Sequence, residues 1–234
     1  MTLKRLAAHV CTPDEIDLME HYLSRGERLA DLWVHLVGLG LAAVGGVVLA
    51  TLAAVYGGVG AAVSTAIYAV CLIAMLAAST VYNLTRPCKA RPVLRRLDEA
   101  AIFLMIAGSY TPFTTQRFEG VWSIAFTLVV WAIALSGVAA KLVAPRISDA
   151  FWSGVFVLFG WVAVIALKPL LDTVHPLALG LLVAGGLIYT AGVLVFINQR
   201  VKFRRAIWHG FVVTAAGVHW AAILLGVVLV PAAA

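Results

Sequence analysis

Charged residues are scarce in this 234-residue chain, and their scarcity excludes a water-soluble fold. Asp, Glu, Lys and Arg make up 12% of the sequence, against 63% hydrophobic residues, and the mean hydropathy is +1.01. Soluble domains carry about 25% charged residues. Cysteine is also scarce: Cys11, Cys71 and Cys88 have no paired or metal-type spacing, which argues against a disulfide framework or a cysteine metal centre. We expect no cleavable signal peptide, because the first apolar run begins only near residue 29.

Long apolar runs are what the sequence has in abundance. A helix needs about 20 apolar residues to cross roughly 30 Å of hydrocarbon. Seven runs of that kind predict an all-α polytopic membrane protein, a seven-transmembrane-helix bundle. The third run, which contains Pro112, and the fifth, which is short, are the weakest. We predict one membrane domain over residues 29–234. The runs lie at about 30–53, 61–84, 98–116, 121–143, 149–169, 176–198 and 206–230.

The positions of the basic residues indicate how the helices are oriented. Every Lys and Arg except Arg117 and Lys168 lies before the first run or beside the loops that follow the second, fourth and sixth runs. Cytoplasmic loops of membrane proteins are enriched in Lys and Arg. We therefore predict a cytoplasmic N-terminus and an external C-terminus. Because the charge is confined to short loops, the net charge of +6 does not indicate a nucleic-acid partner.

The N-terminal segment, residues 1–28, contains a second kind of signal. Its motif TPDE at residues 12–15 has the composition of a helix start with a capping box. Ile16, Met19 and Leu23 follow on one helical face. This pattern predicts a short amphipathic helix on the inner membrane surface; a solvated tail is the alternative.

Polar side chains within the runs gather at one end of the predicted bundle. Polar and ionisable groups are costly in a membrane and are a functional-site hypothesis by default. Three of four pairs have i, i+4 spacing, so each of these pairs points from one helix face. Four helices that present polar groups at one depth can build a shared site. The pairs are Asp31 and His35, Ser79 and Asn83, Asp98 and Glu99, and Arg205 and His209.

Each of several members also has a simpler explanation. Asp98 could cap the third helix and face water. Ser79 could donate to its own helix carbonyl, and Arg205 could extend to lipid phosphates. Glu99 could be a surface residue. The sequence alone leaves these alternatives open.

Six fragments of the chain resemble the hemolysin III family, bacterial members of the progestin and adipoQ receptor superfamily. The resemblance extends over nearly the whole chain and implies a seven-helix fold in a bacterial inner membrane. The fragments are ERLADLWVHLVG, LAASTVYN, RRLDEAAIFLMIAGSYTPF, GWVAVI, GGLIYTAGVLVF and RAIWHGFVV.

The resemblance also implies a zinc site near the cytoplasmic side, and this chain departs from it. Relatives supply a His of the second span in a Ser-x3-His motif, two His of the last span in a His-x3-His motif, and an Asp that opens the third span. Ser79, Asp98 and His209 match this set. Asn83 stands where the second-span His is expected, and Arg205 where the first His of the last pair is expected.

These departures predict that no zinc is held at the family's positions. A catalytic zinc needs three protein ligands, and a guanidinium about 5 Å away would repel a divalent cation by about 6 kcal/mol at an effective dielectric near 20. We therefore predict no cofactor, and an Arg205–Asp98 ion pair, braced by Asn83, Ser79 and His209, in place of the metal. Zinc is the alternative.

Three functions follow as alternatives. The first is a hemolysin III-like membrane protein, non-catalytic or of altered activity, that binds membrane lipids or a partner. The second is a zinc-dependent, ceramidase-like lipid amide hydrolase, in which His209 and Asp98, with His35 or Glu99, would hold the metal and Asp98 would assist a metal-bound water. The third is a pore-forming or ion-conducting protein. The sequence does not predict an oligomeric state.

Overall fold

A computed structural model of the protein describes residues 21–143 and 147–230, and all regular secondary structure in these two ranges is helical. A 3-10 segment, Val162–Ala166, joins the fifth and sixth helices, and a π-helical turn, Leu224–Val228, follows the last. The predicted amphipathic helix at residues 12–23 lies almost wholly outside the described residues. The helices are α1 Arg25–Tyr56, α2 Gly58–Leu84, α3 Arg91–Gln116, α4 Gly120–Val143, α5 Asp149–Gly160, α6 Leu167–Thr173, α7 Pro176–Ile197 and α8 Arg204–Ile223.

The predicted all-α, seven-span architecture is confirmed. Six helical segments are long and apolar enough to cross a membrane, and one of them, Asp149–Thr173, combines α5, the 3-10 segment and α6. The remaining span is α3, which at 26 residues is also long enough to cross but has a basic first turn. The fifth run, predicted to be weak, is therefore a helix interrupted near its middle.

Helix α1 begins earlier than predicted because a reciprocal cap stabilises its first turn. The Ser24 hydroxyl accepts a hydrogen bond from the Glu27 amide (3.2 Å), and the Glu27 carboxylate accepts one from the Leu23 amide (2.8 Å). The same carboxylate accepts from the Phe203 amide (3.3 Å), just before α8. Phe203 has φ 55°, a left-handed conformation that is unusual for a bulky residue. Glu27 thus ties the start of α1 to the start of α8.

The last helix is central to the bundle. Helices α1, α2, α3 and α4 pack in chain order, α7 packs on α8, and α8 also contacts both α1 and α3. Helix α5 contacts α3 and α7. Because α1, α2 and α3 surround the start of α8, polar residues at that end of these four helices can meet in one interior.

Two glycines of α1 allow this close packing. A Cβ atom at Gly38 would lie 2.7 Å from a methyl carbon of Val213 on α8, and one at Gly46 would lie 2.8 Å from the Cβ of Ala69 on α2. Small residues let helices approach where lipid provides no hydrophobic driving force. The side of α1 that carries these glycines is also the side that carries the polar site.

Candidate functional site

The carboxylate of Asp31 is the centre of a buried polar site. Asp31 lies in the second turn of α1 and is 0% exposed. Its Oδ1 is 2.6 Å from Nδ1 of His209 on α8, and its Oδ2 accepts a hydrogen bond from the Tyr22 hydroxyl at 2.5 Å. A buried carboxylate is costly unless it is hydrogen-bonded. Here both oxygens have donors, which come from α8 and from the segment before α1.

Two histidine side chains converge beside this carboxylate. His35, one helical turn after Asp31 and 1% exposed, donates from Nδ1 to the Asp31 backbone carbonyl at 2.8 Å. The rings of His35 and His209 meet edge to face, with 4.3 Å between their centroids. Both Nε2 atoms lie 3.4 Å from the hydroxyl oxygen of Ser79 on α2. Three helices thus bring two imidazoles and a hydroxyl to one point.

A chain of polar contacts extends from Ser79 to the start of α8. The Asn83 amide donates to the Ser79 carbonyl at 3.0 Å and to its hydroxyl at 3.3 Å. The Asn83 carbonyl oxygen accepts from the Arg205 guanidinium at 2.7 Å. The Asp98 carboxyl group lies against the Ser79 hydroxyl from α3. Seven of the eight residues predicted to share a site are therefore neighbours.

The prediction that Arg205 forms an ion pair with Asp98 is wrong, because Arg205 has a different partner. Within residues 21–143 and 147–230, Arg205 hydrogen-bonds to Asn83 and forms no ion pair with Asp98. The physical reason lies in α2: the Asn83 amide group is turned toward Ser79, so its carbonyl oxygen faces the guanidinium. Arg205 and Asp98 remain close enough for their charges to interact.

Glu99 does not join the site, contrary to prediction. It pairs with Arg95 at 2.8 Å and with Lys141 of α4, and Arg95 also pairs with Asp149 of α5. The Lys141 ammonium lies over the Trp152 ring, 4.6 Å from its centroid. Consecutive helical residues point about 100° apart. Asp98 therefore faces α2 and α8, while Glu99 faces α4 and α5.

Sequence reasoning missed Tyr22 and the neighbouring His21. Burial, reinforced by the Asp31 carboxylate, raises the pKa of the Tyr22 hydroxyl above its ordinary value, so the hydroxyl remains a donor. The His21 ring lies 3.3 Å from the hydroxyl of Tyr82 on α2. Neither residue belongs to an apolar run, so the search for polar groups within the runs did not include them.

The zinc that the family resemblance implies does not fit the family's own ligand positions, because Asn83 and Arg205 occupy two of them. A different group of residues does fit a metal ion. Asp31, His35 and His209 are all buried, and each offers a ligand atom within 4.8 Å of the others. Imidazole and carboxylate are zinc ligands. Two of the three residues lie on α1, which the family's ligand set does not use.

The polar site borders a large cavity. Its volume is about 880 Å³, within the range of small-molecule sites. All eight helices contribute to its walls. The lining is polar near His35, Ser79 and Asp98. It becomes mostly apolar farther along the bundle, beside Met105 and Leu182, where Thr114 and His219 also line it. The arrangement suits an amphiphile with one polar end.

Fold and site together define a polytopic helical membrane protein with a buried polar centre at one end of an apolar cavity. Residues 26–220 match the family model described as Haemolysin-III related, and the chain belongs to this family. Three similar proteins illustrate the relationship. The hemolysin-3 homolog of Bacillus subtilis (strain 168) is 30% identical over 205 residues, which covers 88% of this chain and 96% of that protein. Hemolysin-3 of Bacillus cereus is 28% identical over 198 residues, 85% of this chain and 90% of that protein. The monocyte to macrophage differentiation factor of Homo sapiens is 30% identical over 166 residues, 67% of each chain.

Proposed function

We propose that this protein binds a membrane lipid, with the polar group of the lipid beside His35, Ser79 and His209 and its chain in the mostly apolar cavity. The observation that carries the proposal is the continuity between the two: the same cavity of about 880 Å³ touches both the buried polar residues and the apolar walls. A pocket with few polar groups at one end orients a ligand by that end.

Arg205 supports this assignment. It lines the cavity, its guanidinium is held by Asn83, and its Nε atom is buried without a hydrogen-bond partner in the described part of the chain. A buried donor without an acceptor is costly. An acceptor oxygen of a lipid polar group would satisfy it, and the Asn83 contact would keep the guanidinium in position to receive one.

A matched pair of α5 variants tests the proposal. Gly160 lies on the α5 face shared by the cavity-lining residues Phe156 and Val157, whereas Gly154 lies on the face of the exposed Leu158. A Cβ atom at either glycine would have open space around it. The Gly160→Phe ring should fill the cavity, and the Gly154→Phe ring should point to lipid.

The protein in proteoliposomes is photolabelled with a diazirine-bearing palmitic acid. Peptide mass spectrometry then identifies the labelled residues. We expect label on cavity residues, competition by unlabelled palmitic acid, and loss of most label in Gly160→Phe but not in Gly154→Phe. Equal labelling of the two variants, or label only on lipid-facing residues, would contradict the proposal.

A lipid amide hydrolase is the second candidate, and the grouping of Asp31, His35 and His209 favours it. The two histidines, held in place by Asp31, would bind a zinc ion, which when bound supplies Lewis-acid chemistry. Ser79 and Asp98 border the same space and would orient the substrate amide or a water molecule. Release of fatty acid from a fluorescent ceramide by the purified protein, abolished in His209→Gln, would establish this function; a metal-loaded protein without turnover would leave binding as the function.

We also propose that the N-terminus is cytoplasmic, as the basic loops support. Cys88, in the loop after α2, is exposed and provides a native reporter. In a Cys11→Ser background, a membrane-impermeant maleimide should label Cys88 only after cell lysis. Glu119→Cys, in the loop between α3 and α4, should be labelled in intact cells; the reverse pattern would invert the topology.

A further inference from the structure

We infer that this protein has a relocated divalent-cation site, in which Nε2 of His35 and Nε2 of His209 are the ligand atoms and Asp31 orients the histidines instead of binding the ion. The inference does not depend on what occupies the cavity. It also differs from the expectation of no cofactor, which rested on Asn83 and Arg205 at the family's ligand positions.

The first step is the tautomer of each imidazole. His35 Nδ1 faces a backbone carbonyl at 2.8 Å, and a carbonyl can only accept, so Nδ1 carries the hydrogen. His209 Nδ1 faces the Asp31 carboxylate at 2.6 Å, which fixes the same tautomer. When both rings are neutral, the hydrogen on each Nδ1 leaves each Nε2 as an acceptor.

The second step is a shortage of donors. Both Nε2 atoms face one oxygen, that of Ser79, at 3.4 Å, and a hydroxyl has a single hydrogen to donate. Asn83 donates to this oxygen and does not reach the rings. With both rings neutral, one imidazole lone pair therefore has no donor among residues 21–143 and 147–230. The two residues are 1% and 8% exposed and border the cavity, so a further partner for this lone pair would enter from the cavity.

The third step is the kind of ion that the two imidazoles would bind. Histidine ligands of metals generally donate their other ring hydrogen to a carboxylate or a backbone carbonyl. His209 has the first kind of partner and His35 the second. The Tyr22 hydrogen bond holds the Asp31 carboxylate in place. Two imidazoles with nearby oxygens suit a first-row divalent cation such as zinc or cobalt.

Charge also permits a cation here. Asp31 lies beside His209 and provides a buried carboxylate. Arg205, whose charge opposes a cation, is directed toward the Asn83 oxygen. Asn83 and Arg205 thus occupy two ligand positions of the family's zinc site. The site inferred here takes His35 from α1 and shares only His209 with the family's ligand set.

Cobalt binding to the full-length protein tests the inference. The protein is purified with a tag that does not bind metals, stripped with EDTA and titrated with Co²⁺, which is followed by its visible absorption and by elemental analysis. We expect one Co²⁺ per chain in the wild type. His35→Gln and His209→Gln should lose it. His219→Gln, which alters a histidine bonded to the Leu182 carbonyl at 3.2 Å, should retain it.

Asp31→Asn separates an orienting residue from a ligand. An asparagine oxygen can still accept from His209, so this variant should keep one Co²⁺ per chain with affinity roughly 10–100-fold lower. The affinity for Co²⁺ is compared between Asp31→Asn and the wild type, each of which should bind one ion per chain. This comparison tests the inference even if a histidine variant does not purify as a single species. Absence of Co²⁺ in the wild type, equal binding by His35→Gln, or complete loss in Asp31→Asn would overturn the assignment.

Discussion

The hydrogen bond from Tyr22 to Asp31 should be one of the strongest single polar contacts in the protein. The donor lies in the segment before α1, the acceptor carboxylate is 0% exposed, and the oxygens are 2.5 Å apart. A hydrogen bond to a charged group contributes about 1.5–3 kcal/mol. Tyr22→Phe should lower the free energy of unfolding by that amount. For a chain of this size it corresponds to roughly 3–12 °C in the unfolding midpoint, if the bundle has the unfolding entropy of a soluble domain.

Thermal unfolding in detergent, followed by circular dichroism, measures this effect. Tyr56→Phe is the control, because Tyr56 ends α1 with 65% exposure and its hydroxyl is outside the site. A double-mutant cycle with Asp31→Asn identifies the partner. A neutral acceptor should roughly halve the loss on Tyr22→Phe. Equal losses in both backgrounds, or a loss no larger than that of Tyr56→Phe, would refute the reasoning.

The same hydroxyl predicts a dependence on alkaline pH. The pKa of Tyr22 is raised above its ordinary value of 10.0 by burial and by the Asp31 carboxylate. Above about pH 10 the unfolded chain loses this proton while the folded protein retains it, so the contribution of Tyr22 to stability falls as pH rises. The stability difference between wild type and Tyr22→Phe should narrow above pH 10. A difference that stays constant to pH 11 would show that the hydroxyl is not shielded.

Three further sets of substitutions have defined outcomes. Arg117 donates to the carbonyl oxygens of Gly226 and Val227 in the last helical turn and of Val230 after it, at 2.7–3.0 Å. Arg117→Met should therefore cost about 3 kcal/mol or more and expose the C-terminus to protease. Gly46→Leu should cost about 1–3 kcal/mol because its Cβ would lie 2.8 Å from a methyl carbon of α2, whereas Gly40→Leu, with no atom within 4 Å, should be neutral in the same melts. Arg205→Leu and Asn83→Leu should be non-additive by about 0.5–3 kcal/mol, and additive costs would disprove their contact.

The sequence by itself determined the membrane architecture. Runs of apolar residues have the length that a bilayer demands, so most ends of the seven spans were predicted to within a few residues. The spacing i, i+4 placed Ser79 with Asn83 and Arg205 with His209, because that geometry belongs to a single helix. The ends of α1 were less predictable: the cap formed by Ser24 and Glu27 extended it beyond the apolar run.

Only the tertiary structure decided which helices share an interior and how each is rotated. Asp98 and Glu99 are neighbours in sequence, yet one faces the site and the other faces Lys141 of α4. Arg205 pairs with an amide and not with a carboxylate. His35 meets His209 because α8 packs against α1 at the end where both polar turns lie. Helical periodicity specifies a face within one helix, but the partner of that face depends on packing among helices far apart in sequence.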